Sequence, residues 1–200
     1  MNPAIYPLSG DPVHNGHVEI LKKALNHDHS RFDHIYFLLG KNCDKKFLFS
    51  DSERVFLSEK VLRNSGIDCS RVSVDSYSGM TRDYAVLHGA KYIIRGIRNQ
   101  QDRDFEEAFA KFNSQYSLES VIIDSSADFN LVSSSLVKSL VSCGDFVGGY
   151  VHPCVKQALE EKIRGVSLIG VTGSMGAGKS TLCEKLAESC SQISHLDLDK

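Results

Sequence analysis

Short apolar runs alternate with amphipathic segments along most of this chain, and this alternation restricts the folds that it can adopt. The runs expected to form strands are residues 4–6, 35–39, 72–74, 91–94 and 120–123. Helices are expected from Gly16, from a capping box at 50–53, through Tyr84, and over 104–117, 134–142 and 153–163. Strands separated by crossover helices predict an α/β fold with a parallel sheet, in which ligands bind at the carboxyl ends of the strands.

The loop after the first expected strand carries two histidines. It runs from Ser9 and Asp11 through His14 to Gly16 and His17, where an apolar period typical of a helix begins. Gly16 and His17 therefore lie at a helix N-terminus, where backbone N–H groups and the helix dipole attract anions. An imidazole there can donate a hydrogen bond to phosphoryl oxygens, which favours attack on the α-phosphate of a nucleotide.

Other loops at the same ends of the strands also carry groups suited to phosphate. Lys45 and Lys46 follow the second strand, residues 95–98 follow the fourth, and residues 133–135 follow the fifth. A cluster of serines that opens a helix can hold phosphates through its amides. Because these loops meet at one edge of the sheet, we expect a single site for phosphate groups there.

A second glycine-rich motif follows residues 166–171, an apolar run that is expected to be a buried strand. The motif fits the Walker A pattern, in which backbone amides cradle phosphates, a lysine reaches the β and γ groups and a hydroxyl helps to hold Mg²⁺. The residues expected in this P-loop are Gly173, Gly176, Gly178, Lys179, Ser180 and Thr181. Residues 164–200 are too few for a whole P-loop domain, which typically needs on the order of 100 residues. We therefore expect an incomplete P-loop βαβ fragment with a second strand near 196–199, shortened by a truncation.

Composition limits the remaining classes of protein. The formal net charge is −2, which argues against a general nucleic-acid or membrane surface. The six cysteines form no Cys-Xaa-Xaa-Cys pair, and residues 1–7 contain neither a basic nor a long apolar region. We expect a cytoplasmic protein with reduced thiols, no nucleic-acid partner and no membrane span.

Taken together, these motifs resemble the phosphopantetheine adenylyltransferase family. The resemblance rests on residues 6–17, 45–46, 94–98 and 132–138, and it continues to residue 163. It implies a Rossmann-like nucleotidyltransferase domain over residues 1–163. This domain would transfer the adenylyl group of ATP to 4′-phosphopantetheine in coenzyme A biosynthesis and release pyrophosphate. Residues 164–200 are similar to the start of dephospho-coenzyme A kinase, which acts in the next step, although so short a segment is not expected to have kinase activity.

The resemblance also implies roles for individual residues. His17 would stabilise the transition state, while Lys45 and Arg95 would orient the attacking phosphate. Ser9 would bridge substrate and nucleotide, and Met80 would lie by the pantetheine arm. The ATP site would comprise Ser9, Gly10, His14, His17, Gly96, Ile97, Arg98, Glu107, Phe129, Asn130, Leu131, Val132, Ser133, Ser134 and Ser135. Mg²⁺ would be held through the phosphates without a metal site of the protein's own, and the family is typically a homo-hexamer.

Three positions depart from the family's pattern, and they keep two other hypotheses open. Leu8 stands where the family has glycine, and Gly10 stands where it has an aromatic residue. Ala108 stands nearest to the position at which the family usually has a glutamate that faces the nucleotide. One alternative is a nucleotidylyltransferase with a different phosphate acceptor, such as a nicotinamide nucleotide. The other is a nucleotide-binding module with impaired catalysis.

Overall fold

The chain forms two compact units, Met1–Val166 and Ser167–Lys200. The computed structural model describes residues 2–26, 31–41, 45–166 and 169–195. Each unit is described separately below.

The first unit contains a five-stranded sheet in which every pair of neighbouring strands is parallel. Its strands are β1 (Pro3–Leu8), β2 (His34–Gly40), β3 (Val72–Tyr77), β4 (Tyr92–Ile97) and β5 (Glu119–Asp124). The spatial order is β3-β2-β1-β4-β5, so the direction of winding reverses between β1 and β4. The parallel α/β fold predicted from the alternating pattern is confirmed.

Helices cover both faces of the sheet. They are α1 (Asn15–Asn26), α2 (Asp51–Asn64), α3 (Thr81–His88), α4 (Gln100–Ser114), α5 (Ser134–Cys143) and α6 (Pro153–Arg164), with a short 3-10 helix at Ala127–Phe129. The larger hydrophobic cluster joins alternate residues of the central strands to α1, α2, α5 and α6. The smaller cluster joins Ile5, Leu38 and Ile93 to Tyr84 and Ala85 of α3. Burial on both faces explains why the central strands read as continuous apolar runs.

The start of α2 is as predicted. The Ser50 Oγ accepts a hydrogen bond from the Glu53 N–H, and the Glu53 carboxylate accepts one from the Ser50 N–H at 2.7 Å. This reciprocal capping box satisfies two N–H groups that an open helix end would leave unpaired. It fixes the first turn of α2 beside the carboxyl end of β2.

Two boundaries differ from the sequence prediction. Strand β4 continues to Ile97, so Arg95, Gly96 and Ile97 lie in the strand and not in the loop after it. Helix α4 begins at Gln100, four positions before the expected start, because the Asn99 side chain accepts a hydrogen bond from the Asp102 N–H at 2.8 Å and caps the helix there.

The second unit contains helix α7 (Lys179–Ser189). The strand predicted over 166–171 is wrong for its described residues, none of which is in a strand. Ile169 is 84% exposed. A strand is stabilised by pairing, and no described residue of this unit pairs with it. Residues 167–168 and the second strand predicted near 196–199 lie outside the described residues, as does Cys43.

Candidate active site

A cavity of about 740 Å³ opens at the carboxyl ends of the strands in the first unit. It lies where the order of the sheet reverses, next to the loop after β1, the end of β4, residues 45–47 and the N-terminus of α5. In open parallel sheets this reversal leaves a crevice for ligands, because the adjoining loops diverge. The fold therefore places the candidate site where the sequence predicts it.

The two histidines of the first loop are in direct contact within this cleft. Their ring centroids lie 3.6 Å apart with an angle of 23° between the planes. The backbone N–H of His14 donates to Nδ1 of His17 at 3.2 Å. Nδ1 must accept in this arrangement, so a neutral His17 ring carries its proton on Nε2. His17 is thereby prepared as a hydrogen-bond donor through Nε2.

Burial keeps both imidazoles neutral. It lowers the pKa of His14 to about 4, and the charge of Arg98 acts in the same direction. It also lowers the pKa of His17 well below the ordinary value, with further contributions from His14 and Arg98. A neutral imidazole can still donate to a phosphoryl oxygen, so neither histidine needs to be charged in order to bind.

Cations outnumber carboxylates around the cleft. Three are partnered: Arg95 Nε lies 3.1 Å from Glu106 Oε2, Arg98 Nε lies 2.9 Å from Asp102 Oδ2, and Lys138 Nζ lies 2.8 Å from Asp11 Oδ2. Within the described part of the chain, Lys45 and Lys46 have no carboxylate partner. The surplus of positive charge suits a ligand that carries several phosphates.

Asp11 connects the loop after β1 to its neighbours. Its carboxylate accepts hydrogen bonds from the N–H groups of Leu48 and Phe49, each at 3.0 Å, and from Lys138 at 2.8 Å. Burial alone would raise the pKa of Asp11, but the hydrogen bonds and charge of Lys138 and the two amides outweigh it and hold that pKa below its usual value. Asp11 is therefore an ionised structural anchor of the site.

The serine cluster opens α5 as predicted, and two of its hydroxyls already make hydrogen bonds within the protein. The Ser133 Oγ accepts a hydrogen bond from the Leu136 N–H at 3.1 Å, and the Ser134 Oγ donates to the Pro12 carbonyl at 2.9 Å. Ser135 also lines the cleft. The Ser133 hydroxyl still has its own proton to donate, whereas that of Ser134 is already donated. Phosphate binding at this end of α5 would therefore depend on the first backbone amides, on Ser133 and on Ser135.

The cleft brings together most of the site residues predicted from the sequence. Those that line it are Ser9, His14, His17, Lys45, Arg95, Gly96, Arg98, Phe129, Val132, Ser133, Ser134 and Ser135. Gly96 has a steric reason to be glycine, because a Cβ there would lie 2.9 Å from Cγ1 of Ile20. The close approach of β4 to α1 forms one wall of the cleft.

The lining does not include Gly10, Met80, Ile97, Glu107, Asn130 or Leu131. Gly10 is buried within the loop after β1 at φ +57°, where a Cβ would collide with Leu39. Ile97 is buried next to Gly96 in β4, and successive strand residues point to opposite faces. Met80 is 54% exposed at the start of α3, and Leu131 is 85% exposed.

Glu106 takes the position that was predicted for Glu107. It lines the cleft and pairs with Arg95, whereas Glu107 is exposed on α4. Successive helix residues are rotated by about 100°, so assigning the adjacent residue turns the carboxylate away from the site. Ala108 is also exposed and outside the lining.

Sequence reasoning also missed Tyr6, Phe47, Ser125 and Lys138, which line the cleft too. Lys138 stands in the motif that suggested the family, four residues after Ser134. That spacing puts it one helical turn into α5 on the same side, which was the available signal.

The segment of the second unit that was predicted to be a P-loop forms a turn followed by a helix. Gly176 and Gly178 have φ values of +79° and +81°, which favour glycine, and α7 begins at Lys179. The Lys179 Nζ donates to the carbonyls of Gly173 and Ser174 at 2.9 and 3.0 Å. Ser180 and Thr181 lie exposed in the first turn of α7.

Among the described residues, no group of three or more His, Cys, Asp or Glu side chains could hold a metal ion. The same part of the chain has no helix with the length and hydropathy needed to cross a membrane.

The lowered pKa values give a testable prediction. We expect the ring resonances of His14 and His17 to stay constant from about pH 8 to pH 5, because both rings remain neutral. NMR titration checks this, with His14→Asn and His17→Asn used for assignment. Since folding lowers both pKa values, their contribution to stability is complete above about pH 6.5 and is lost as pH falls below it. A titration midpoint near the ordinary histidine value for either ring would contradict the prediction.

Comparison with known proteins supports this geometry. Residues 9–140 match the cytidylyltransferase-like family model. The chain is 40% identical over 167 residues to the phosphopantetheine adenylyltransferase of Coprothermobacter proteolyticus, covering 82% of this chain and 98% of that protein. It is 39% identical over 163 residues to the phosphopantetheine adenylyltransferase of Thermotoga neapolitana, covering 80% and 96%.

The fold is also shared with a solved structure, that of Plasmodium falciparum nicotinic acid mononucleotide adenylyltransferase complexed with NaAD. The TM-score is 0.58 at 17% identity, and the match covers 82% of this chain and 95% of that one. At that identity the similarity concerns the fold alone. The sequence relatives and the cleft at the reversal of the sheet together assign this chain to the phosphopantetheine adenylyltransferase family.

Proposed function

We propose that the cleft of the first unit transfers the adenylyl group of ATP to 4′-phosphopantetheine, giving dephospho-coenzyme A and pyrophosphate in coenzyme A biosynthesis. Family membership supports this reaction. The observation that carries it in the structure is one cleft lined by two neutral, stacked histidines and by two lysines that pair with no carboxylate among the described residues. Such a cleft can hold an ATP α-phosphate and an acceptor phosphate together.

His17 is the proposed transition-state donor. An oxygen of the acceptor phosphate attacks the α-phosphorus, a P–O bond forms, and the bond to the β-phosphate oxygen breaks so that pyrophosphate leaves. Negative charge on the α-phosphate oxygens is then stabilised by donors that already point at them. With Nδ1 occupied by the His14 N–H, His17 donates from Nε2, and no covalent enzyme intermediate is required.

The acceptor would be held between the segment after β2 and the end of β4. Lys45 and Arg95 would orient its phosphate, with Arg95 held by Glu106. Ser9 would contact both substrates. Met80 would lie by the extending pantetheine arm, outside the cavity itself.

The nucleotide would be held by the end of β4 and the start of α5. Gly96 and Arg98 would contact the nucleotide, with Ile97 buried between them in β4. The cleft-lining residues of 129–135 would extend from adenine to the triphosphate. Both carboxylates that line the cleft are already paired with cations. Mg²⁺ would therefore be held by phosphate oxygens, where it neutralises their charge.

The decisive test is pyrophosphate release from ATP, Mg²⁺ and 4′-phosphopantetheine. We expect release to require the acceptor, and we expect His17→Asn to lower kcat by about 100- to 1000-fold, as loss of one preorganised donor does. His34→Asn is the matched control, since His34 lies at the amino end of β2, away from the carboxyl ends where the cleft opens, and contacts Ser73. Its kcat should stay within about twofold of the wild-type value.

The identity of the acceptor decides between the remaining hypotheses for the function. Equal release with nicotinamide mononucleotide would overturn phosphopantetheine as the substrate. ATP binding without release from any acceptor would instead indicate a binding module.

We also propose a homo-oligomer that forms through α4. Phe105, Phe109 and Phe112 lie along one side of this helix, Tyr116 follows it, and all four are 42–60% exposed. Phe105 and Phe109 have ring centroids 4.8 Å apart, and Phe112 and Tyr116 have theirs 5.4 Å apart. An aromatic stripe of this kind is typical of an interaction surface. A hexamer would follow from the family resemblance.

Substitution within the stripe tests this proposal. We expect Phe109→Glu to lower the mass measured by light scattering toward the 22.1 kDa of one chain, because it puts a charge into an apolar interface. Glu107→Gln, on the same helix, should leave the mass unchanged. An unchanged mass in Phe109→Glu would exclude this stripe as the interface.

The P-loop of the second unit is proposed to be a separate phosphate site without kinase activity of its own. We expect Lys179→Ala to leave adenylyl transfer within about twofold of wild type, because the motif belongs to the other compact unit. Pyrophosphate release measures this directly. A large loss would show that the two units share one active site.

We place the protein in the cytoplasm. The described cysteines, Cys69, Cys143, Cys154, Cys183 and Cys190, are free, which is usual for proteins of a reducing compartment.

A further inference from the structure

Arg54 is the largest fully buried side chain of the described residues, and the proposed chemistry does not use it. It lies in the first turns of α2 with a side-chain exposure of 0%. Removing a guanidinium from water is costly unless its donors find partners. Its contacts therefore indicate what this arginine holds in place.

The guanidinium contacts four parts of the site's surroundings. Nη1 donates to the Ser9 carbonyl at 2.5 Å and to the Gly40 carbonyl at 3.0 Å. Nη2 donates to Asp51 Oδ1 at 2.8 Å. Cζ lies 4.3 Å from the centre of the Phe47 ring. One side chain thus joins the loop after β1, the end of β2 and the segment after Lys45.

Two of these partners face the cleft while Arg54 does not. Ser9 and Phe47 line the cavity, together with Lys45 and Lys46. Arg54 is not among the lining residues and cannot touch a bound substrate directly. Any effect on the reaction must pass through the backbone of Ser9 and the ring of Phe47.

Stability of α2 does not account for an arginine at this position. Arg54 is close to the helix N-terminus, where the dipole disfavours a cation. Its Nε is also buried without a hydrogen-bond partner among the described residues. Both features oppose folding, and only part of the charge is balanced by Asp51, whose side chain is 44% exposed.

We propose that Arg54 is a positioning residue that fixes the Ser9 loop against the Lys45–Phe47 segment, so that both meet the acceptor phosphate in one geometry. The catalytic part of this inference rests on the proposed function. A guanidinium is needed because its planar fork donates to two carbonyls and a carboxylate while its face covers an aromatic ring. A lysine ammonium keeps the charge but cannot make these contacts together.

The test compares Arg54→Lys with Arg71→Lys. Arg71 is a matched control because its Nη2 also donates to a backbone carbonyl, that of Phe32 at 2.8 Å, and it lies beside β3 away from the cleft. Both proteins are first compared by thermal unfolding. The kinetic readout is kcat/KM for phosphopantetheine with the dissociation constant of ATP, and the structural readout is hydrogen exchange of the amides at 45–49.

We expect Arg54→Lys to lower kcat/KM for phosphopantetheine by about 100-fold, the usual effect of misplacing a catalytic group by about 1 Å. ATP binding should remain within about twofold, and amide exchange at 45–49 should be faster. Arg71→Lys should change neither kcat/KM nor amide exchange at 45–49, even where its loss of thermal stability equals that of Arg54→Lys.

Unchanged exchange at 45–49 in Arg54→Lys would overturn the proposal, and so would a loss of activity no greater than that of Arg71→Lys. If the wild-type protein does not release pyrophosphate, the proposed function is wrong. Faster exchange at 45–49 in Arg54→Lys would then still support the positioning contact. The two failures are therefore distinguishable.

Discussion

The candidate site depends on the buried carboxylate of Asp11. It accepts hydrogen bonds from two amides of the segment after β2 and from Lys138 of α5. Three segments that are distant in sequence are thereby held at one point below the cleft. The contacts that hold the carboxylate also offset the cost of burying its charge, so they keep it ionised. Phosphate-binding loops gain from such anchoring, because donors fixed before the reaction need no reorganisation during it.

Electrostatics within the cleft separate two tasks. Most of its cations are balanced by carboxylates of the protein, which fixes their positions. Lys45 and Lys46, which pair with no carboxylate among the described residues, would interact with an incoming phosphate in the proposed reaction. The histidines are kept neutral by burial, so they add directed hydrogen bonds without adding to the charge that a product anion must leave behind. Orientation and attraction are thus supplied by different residues.

The sequence predicts the elements that depend on local chemistry. The capping box at Ser50 and the serine at the start of α5 mark helix starts to the residue, because the groups that decide them lie within one turn. Prediction from the sequence fails where the position of a side chain depends on partners that are distant in the chain. The contacts of Asp11 lie 37, 38 and 127 residues away, and no local pattern reports them. Glu107 was assigned from the family resemblance, in a segment where two extra residues shift the match, and sequence alone does not show which of two adjacent glutamates faces the cleft.

The two glycine-rich motifs of this chain differ in what surrounds them. In the first unit the helix N-terminus adjoins a crevice between paired strands, and cations from three other segments surround it. In the second unit two glycines of the loop have positive φ, yet the apolar run before it is exposed and forms no strand over its described residues. Lys179 bonds to the carbonyls of its own loop, which a phosphate would have to replace as its partner. Local geometry is encoded in both motifs, and for the first motif the surrounding sheet turns this geometry into a cleft with donors on several sides. Over the part of the second unit that the structure describes, no strand flanks the loop.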